Sequence, residues 1–280
     1  MSLLVTGAGG LVGSALVRTG QVTGLSRQML DITKADGVRR ILDEHQPTAV
    51  INAAAQANVD RADKEPERTR RVNADAPGVL AHCCRERGIR LVHLSTDYVL
   101  DAPHLARLTE ELPPKPRSVY AETKLAGEQA VLAEGGTVLR IQWVYSPFGH
   151  GFFNRALEAM ARGQSVRLVT DQVGCPTPAE LLAPALLKVA TSEASGLFHL
   201  ATSGEATAFD WIVAGARAAG IEPLTEPAVR ADFAGAHRPA RSVLDSTKAA
   251  QTFGVSLPDW REALRTVVAG SGTLGRGVEF

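Results

Sequence analysis

Apolar positions along the chain fall into short runs rich in leucine and β-branched residues. Between these runs lie longer stretches in which apolar residues return every three or four positions. The short runs predict strands over residues 3–6, 22–25, 49–52, 91–95 and 138–141, and the longer stretches predict helices over 11–18, 35–45, 69–87 and 119–132. Such alternation is the pattern of successive βαβ crossovers, so the fold class is α/β with a doubly wound, mostly parallel sheet. Thr33 followed three residues on by Asp36 reads as a capping box that starts the second helix near Lys34.

Beyond residue 146 the alternation loosens into a helix over 153–162, a strand over 166–169, a helix over 179–190, a strand over 197–200 and further helix. We therefore expect a first domain over 1–145 and a smaller α/β lobe over most of 146–269, with a late strand able to return to the first sheet. Residues 270–280 are glycine-rich without a pattern and predict a flexible tail. The segment 101–117 holds Pro103, Pro113, Pro114 and Pro116 and has no period. It predicts a surface loop overhanging the strand ends, with Glu110 and Glu111 in solvent, placed to cover a substrate.

Composition removes several classes of function. With 30 Lys and Arg against 30 Asp and Glu, the net charge is zero and no long-range attraction to nucleic acid or an anionic membrane is expected. No apolar run reaches the roughly 18 residues of a membrane helix, and glycine enters too early, at position 7, for a signal peptide. A soluble cytoplasmic protein is expected. Cys83, Cys84 and Cys175 form no CxxC pair, which predicts reduced thiols. The seven histidines show no ligand spacing, so no metal is expected, and His93 and His199 lie in strand patterns as core or edge residues.

Chemistry concentrates at the strand ends. The first strand runs into Thr6-Gly7-Ala8-Gly9-Gly10-Leu11-Val12-Gly13, where Gly7, Gly10 and Gly13 keep a three-residue spacing directly before a helix. Glycine allows the tight turn and the close approach of a pyrophosphate, whose charge meets free amides at the helix start. The second strand ends Ser26-Arg27 without an acid. A guanidinium there suits a ribose 2′-phosphate, which favours NADPH over NADH; an exposed arginine at a strand end is the plain alternative. Asp31, with Ile32, stands where the adenine edge is expected. Asn52-Ala53-Ala54-Ala55 closes the third strand with small side chains that allow a cofactor to pass closely, and Ser95 and Thr96 close the fourth with hydroxyls. Tyr120 and Lys124, at i and i+4, share one helix face. A phenol titrates near pKa 10, and a neighbouring ammonium pulls that value down, giving Tyr120 a proton to exchange with a carbonyl or alcohol.

On these motifs the chain resembles the extended short-chain dehydrogenase/reductases, and within them the dTDP-4-dehydrorhamnose reductase branch. The resemblance extends through Val59-Asp60, Ser95-Thr96-Asp97-Tyr98-Val99, Gly127-Glu128, Trp143-Val144-Tyr145, Asp171-Gln172-Val173-Gly174-Cys175-Pro176-Thr177 and Leu181-Leu182-Ala183, then from Arg238-Pro239 to Trp260. It implies a Rossmann-type sheet with a C-terminal substrate lobe, and a reductase that delivers hydride from NADPH, or NADH, to the keto carbon of a nucleotide-linked 4-keto-6-deoxysugar, dTDP-linked. By position, Tyr120 donates the proton, Lys124 holds the nicotinamide ribose and Thr96 binds the substrate oxygen. Val59, Trp143 and the Asp171, Gln172, Pro176 and Thr177 loop shape the sugar pocket. A homodimer is one assembly the resemblance allows.

Three positions depart from the branch: Ala121 stands for its usual glycine, Gln142 for serine in Thr-Ser-Trp, and Ala57 for threonine. The last two are expected beside the sugar and leave the hexose and the stereochemical outcome open. Among rival activities, a dehydratase needs an Asp-Glu pair after the threonine, whereas Asp97 is followed by Tyr98. An epimerase uses the same Tyr, Lys and cofactor. A non-catalytic NADP-binding regulatory subunit keeps the fold, and the intact Thr96, Tyr120 and Lys124 favour an enzyme over it.

Overall fold

Strand β1 (Leu3–Thr6) lies in parallel between β2 (Thr23–Leu25) and β3 (Ala49–Asn52), and β3 continues to β4 (Arg90–Thr96) and β5 (Thr137–Ile141). The computed structural model describes residues 2–271. The late strand Gly196–His199 pairs in parallel with β5 and completes a six-stranded sheet. The direction in which strands are added reverses at β1, since β2 lies on one side of it and β3 on the other. That reversal opens a crevice at the carboxyl ends of β1 and β3.

Both sheet faces are covered, so the strands are apolar throughout instead of alternating with polar residues. Leu3, Val5, Ile51, Leu94 and Leu139 pack with α1 (Leu11–Arg18) and α8 (Ala179–Thr191) on one face. Leu4, Val50, Leu91 and Val138 pack with α2 (Ala35–His45) and α5 (Ala76–Glu86) on the other. The second lobe gathers around Tyr145, Phe153, Trp211 and Trp260, contributed in part by α7 (Phe152–Ala161), α9 (Ala208–Ala218) and the helix Trp260–Ser271. That last helix takes in Gly270 and Ser271; the rest of the expected tail, 272–280, lies outside the described residues.

Three local expectations are corrected. No capping box starts α2: Thr33 donates its hydroxyl to Asp31 Oδ1 at 2.8 Å and its amide to the same oxygen at 3.0 Å, while Asp36 pairs with Arg39. Asp31, two residues upstream, offers a tight Asx turn that outcompetes the helix start. The single helix expected over 69–87 is three segments, α4 (Pro66–Arg70), a π segment Arg71–Asp75 and α5. Pro77 has no N–H to return to the Asn73 carbonyl, which faces instead Gly127 of α6 (Val119–Ala133), where a Cβ would stand 2.2 Å from it. Glu110 is not left to solvent: its Oε1 accepts from the His199 amide at 2.8 Å and so ties the proline-rich loop to the late strand.

A buried ion pair joins α6 to β5. Arg140 and Glu128 are about 1–2 % exposed and meet through two parallel bonds of 2.9 and 2.8 Å. Arg140 also faces His199 Nε2 at 3.4 Å, and His199 Nδ1 meets the Leu108 carbonyl at 3.1 Å. Removing one partner strands a charge in the interior, so Glu128→Ala is expected to lower unfolding free energy by about 3–5 kcal/mol, read from urea denaturation.

Candidate active site

Two kinds of glycine build the turn after β1. Gly7 has φ +72° and a Cβ there would stand 2.7 Å from Ala54 Cα, and a Cβ on Gly13 would stand 2.1 Å from the Gly7 carbonyl oxygen. These two let β1, β3 and α1 meet. At Gly9, by contrast, a Cβ would meet nothing within 4 Å, so the fold itself does not require this position to be bare. Gly10 caps α1 without a side-chain bond, and the first turn, with Leu11 and Val12, has no acid. Open space over uncapped helix amides is a cradle for an anion and fits a pyrophosphate.

Next to this cradle, Gly7, Gly10, Arg27, Leu30, Asp31, Ile32, Ala53, Ala54 and Ala55 line a cleft, together with Gln56, Arg68 and Val72. Thr33's hydroxyl and amide hold the Asp31 carboxyl below its ordinary range, with Arg27 adding to the effect against partial burial. Asp31 is thus committed to its own turn. Ser26 does not line this cleft, and its carbonyl accepts from Met29 and Leu30. Asn52 is fully buried beneath the floor, with its Oδ1 accepting from Thr6 Oγ1 at 2.7 Å and from the Ala54 amide at 3.2 Å. Gln56, Arg68 and Val72 were missed from sequence; the π segment supplies the reason, since Asn73 clasps the Gln56 amide at 2.8 Å and carbonyl at 3.1 Å.

Ser118 caps α6 by accepting from the Ala121 amide, which sets the rotation of the helix carrying Tyr120 and Lys124. Tyr120 is half-buried and stands edge-to-face with Tyr98, centroids 5.8 Å apart. Lys124 is not among the groups acting on the Tyr120 phenol, and the expected lowering is absent. Burial pushes the phenol up to about 12, the facing Thr96 hydroxyl opposing and Asp97 assisting the rise. Lys124 turns instead toward the sheet, donating to the Leu94 carbonyl at 2.6 Å, with His93 Nε2 at 3.3 Å. Its burial brings it down to about 8. Ser95 Oγ is buried without a hydrogen-bond partner at the end of β4.

Thr96 is held from both sides, donating to Asp97 Oδ1 at 3.2 Å and accepting from the Tyr98 amide at 3.2 Å. Asp97, 2 % exposed, also accepts from Ser242 at 2.6 Å and from Gln142 at 3.0 Å. Gln142 therefore does not face the sugar cleft as expected. It lies behind it, bonded further to the Ser242 carbonyl and accepting from the Cys175 amide at 3.0 Å.

A second cleft of about 610 Å³ adjoins the first, lined by Ala57, Val59, Trp143 and Gln172 among the expected positions. Thr177 and Pro176 are buried away from it: Thr177 Oγ1 donates to the Cys175 carbonyl, and the Pro176 carbonyl accepts from Thr202. Asp171 accepts from the Arg230 amide at 2.7 Å and so anchors a loop of the wall. Tyr98, Arg155, Arg167, Trp211, Arg230, Phe233 and Arg238 are among the other lining residues and were missed, because scattered arginines and aromatics form no local motif. Trp143 sits at φ +41°, a conformation costly for a bulky residue. Its ring occupies the space a Gly174 side chain would fill, 2.6 Å from that Cβ position.

A parallel sheet with a glycine cradle at its switch point, and a buried Tyr-x-x-x-Lys helix beside a Ser-Thr strand end, define a dinucleotide-binding protein of the short-chain dehydrogenase/reductase type. The chain belongs to the family described as RmlD substrate binding domain, whose model matches residues 1–272. It is 38% identical, over 95% of its length and 85% of the relative's, to the dTDP-4-dehydrorhamnose reductase of Mycolicibacterium smegmatis. It is also 38% identical, over 95% of its length and 94% of the relative's, to a probable dTDP-4,6-dihydroxy-2-methyloxan-3-one 4-ketoreductase of Streptomyces antibioticus. Among solved structures, a dTDP-4-dehydrorhamnose reductase of Clostridium acetobutylicum superimposes with TM-score 0.92 at 31% identity, covering 98% of this chain and 100% of that one. The Bacillus anthracis dTDP-4-dehydrorhamnose reductase in complex with NADP gives TM-score 0.91 at 26% identity, covering 96% and 99%. No helix among the described residues is long and apolar enough to cross a membrane.

Two predictions test the site's construction. Gly9→Ala is expected to keep its melting temperature while losing dinucleotide affinity, whereas Gly13→Ala is expected to lose both, as followed by thermal unfolding with and without NADPH. The second concerns Asp97, whose burial raises its carboxyl to about 6 against the bonds from Ser242, Gln142 and Thr96. A raised acid favours the fold while protonated, so that contribution is complete below pH about 4 and is lost as pH rises through 6, on the order of 3 kcal/mol. Asp97→Asn is expected to flatten this descent between pH 4 and 7 in denaturant titrations.

Proposed function

We propose that the protein is an NAD(P)H-dependent reductase acting on the keto group of a nucleotide-linked 4-keto-6-deoxysugar, with NADPH as the preferred cofactor and a dTDP-linked substrate. The observation that carries this reading is the placement of Tyr120, Lys124 and Thr96 at the carboxyl edge of the sheet, close to the cleft that Tyr98 and Trp143 line. Names of relatives support the substrate class, since dTDP-4-dehydrorhamnose reductases and a dTDP-4-keto-6-deoxy-D-glucose reductase of Streptomyces niveus are among them. Preference for NADPH rests on Arg27 at the cleft and on Asp31 being engaged by Thr33.

When bound, the reduced dinucleotide supplies hydride to the keto carbon. The protein's part begins with Gly7, Gly10 and the α1 amides, which hold the pyrophosphate, and with Ala53 to Ala55, whose small side chains admit the cofactor. Tyr120, fully protonated at neutral pH, donates its phenolic proton to the sugar oxygen. Thr96, donating to Asp97 and accepting from the Tyr98 amide, has its hydroxyl fixed at the end of β4 beside Tyr120. Lys124 is the cation nearest in sequence on the same helix face to steady the resulting phenolate. Arg155, Arg167, Arg230 and Arg238 line the second cleft with Asp60 as the one acid among its lining residues, a balance that suits a diphosphate. Arg238 is occupied by Asp60 at 2.8 Å, Arg230 by the Phe233 and Ala236 carbonyls, and Arg167 by Asp232 at 3.0 Å while it stacks over Phe233, which leaves Arg155, bonded among the described residues only to the His150 carbonyl, the freer phosphate ligand.

Steady-state kinetics with NADPH and dTDP-4-keto-6-deoxysugars tests the reading directly. Tyr120→Phe is expected to lower kcat by about a hundredfold or more while binding NADPH as before. Arg155→Ala is expected to raise KM about tenfold with kcat nearly kept, since it removes a charge-assisted contact away from the reacting carbon. A full rate in Tyr120→Phe would refute the assigned donor.

A further inference from the structure

Beneath the active site, β1, β3, β4 and α6 contribute one line of buried polar groups: Thr6, Asn52, His93 and Lys124. Their hydrogen bonds have a direction. The Ala54 amide can only donate, and it points at Asn52 Oδ1, which also accepts from Thr6. Asn52 must then present its NH2 to His93 Nδ1, 3.0 Å away, and that nitrogen accepts. His93 is fully buried, with its titration pushed well below the ordinary imidazole range by burial and by Lys124, so the ring is neutral. A neutral imidazole carries one N–H, and here it sits on Nε2, aimed at Lys124 Nζ 3.3 Å away. An ammonium has no lone pair to receive it. A neutral amine does, and it can still donate to the Leu94 carbonyl at 2.6 Å.

From this directed chain, resting on the dinucleotide reading of the cleft, we infer that Asn52 and His93 hold Lys124 as a neutral amine in the ligand-free protein in mildly alkaline solution, so that dinucleotide binding there takes up a proton at Nζ. The proton comes from solvent and no other bond changes. Once charged, Nζ leaves the Nε2–H and turns to acceptors on the cleft side, the cofactor's ribose hydroxyls and the Tyr120 oxygen. The other groups around Nζ agree with this. On its own helix Tyr120 is neutral, and Glu128, the one acid acting on Lys124, is neutralised by Arg140 of β5. Asn52 and His93 are thus positioning residues, acting through Lys124.

Calorimetry of NADPH binding at pH 9, in buffers of different ionisation heat, counts the protons. The Tyr120→Phe background removes the phenol from the count. Since Lys124 titrates at about 8, uptake of about 0.9 proton per NADPH is expected. In the added presence of Asn52→Asp, a carboxylate takes the His93 Nδ1–H, Nε2 becomes the acceptor, Lys124 is charged beforehand and uptake is expected to vanish. Binding without proton uptake, or equal uptake in both proteins, overturns the inference. A nitrogen spectrum of the ligand-free wild type, labelled at histidine, reads the tautomer independently: His93 protonated at Nε2 supports the inference and at Nδ1 overturns it. Should NADPH not bind at all, the dinucleotide reading fails and, with it, the coupled uptake, while the tautomer still shows whether the empty site is wired as described.

Discussion

Everything in the site depends on a close approach of backbones at the carboxyl ends of β1 and β3. Gly7 against Ala54, and Gly13 against the Gly7 carbonyl, are contacts that any side-chain carbon would break, at 2.7 and 2.1 Å. Because these chains touch, α1 begins directly over the switch point with its first amides free, and the alanines after β3 form a floor instead of a wall. The packing requirement and the ligand requirement fall on different glycines of one motif. Gly7 and Gly13 are fixed by the fold, and Gly9 is bare where the fold would tolerate more.

A second constraint is electrostatic. Helix α6 lays Lys124 and Glu128 one turn apart against the sheet, both buried, and the two are handled differently. Glu128 is neutralised by a bidentate arginine and serves stability and register. Lys124 has no carboxylate partner in its hydrogen bonds, only a carbonyl and an imidazole, so its burial is expressed as a depressed pKa instead of an ion pair. Asp97, on the other side of Thr96, is likewise buried without a cation in its hydrogen bonds and is raised to about 6. Two ionisable groups pushed toward neutrality flank the residues assigned to proton transfer, the arrangement expected where protons are to move.

Sequence pattern revealed the sheet because strands covered on both faces are short apolar runs bounded by turn residues; β1 and β3 were legible to the residue. The cofactor cradle, Tyr120 and Lys124 were legible for the same reason, since their spacing is local. What escaped notice depends on contacts between distant segments. The π segment needs Pro77 and Gly127 considered together, fifty residues apart. The turn between Asp31 and Thr33 cannot be seen in spacing, and helical periodicity gives Lys124 a face shared with Tyr120 but not the rotamer that takes it to the Leu94 carbonyl. Gln142, which departs from the branch at a position next to Trp143, was expected at the sugar; the turn of the chain just after β5 takes it to the opposite side, onto Asp97.

That turn explains how a change beside the site can spare its chemistry. Along the segment after β5, Trp143 faces the cleft and Gln142 faces inward, so the two neighbours serve separate purposes. Trp143 holds a left-handed backbone that a tryptophan adopts only under compulsion, and the compulsion comes from both sides. Gly174 leaves room for the ring, and the Trp143 carbonyl receives the Thr177 amide at 3.2 Å. Gln142 supplies the tie that keeps the two segments together, because its oxygen receives the Cys175 amide while its nitrogen reaches Asp97 and Ser242. The Asp171 to Thr177 segment thus acts on the substrate cleft largely at one remove. Its Pro176 and Thr177 never line the cleft, yet they fix the strand that holds Trp143 in its strained position, which is how buried residues of a binding motif can govern a pocket they do not touch.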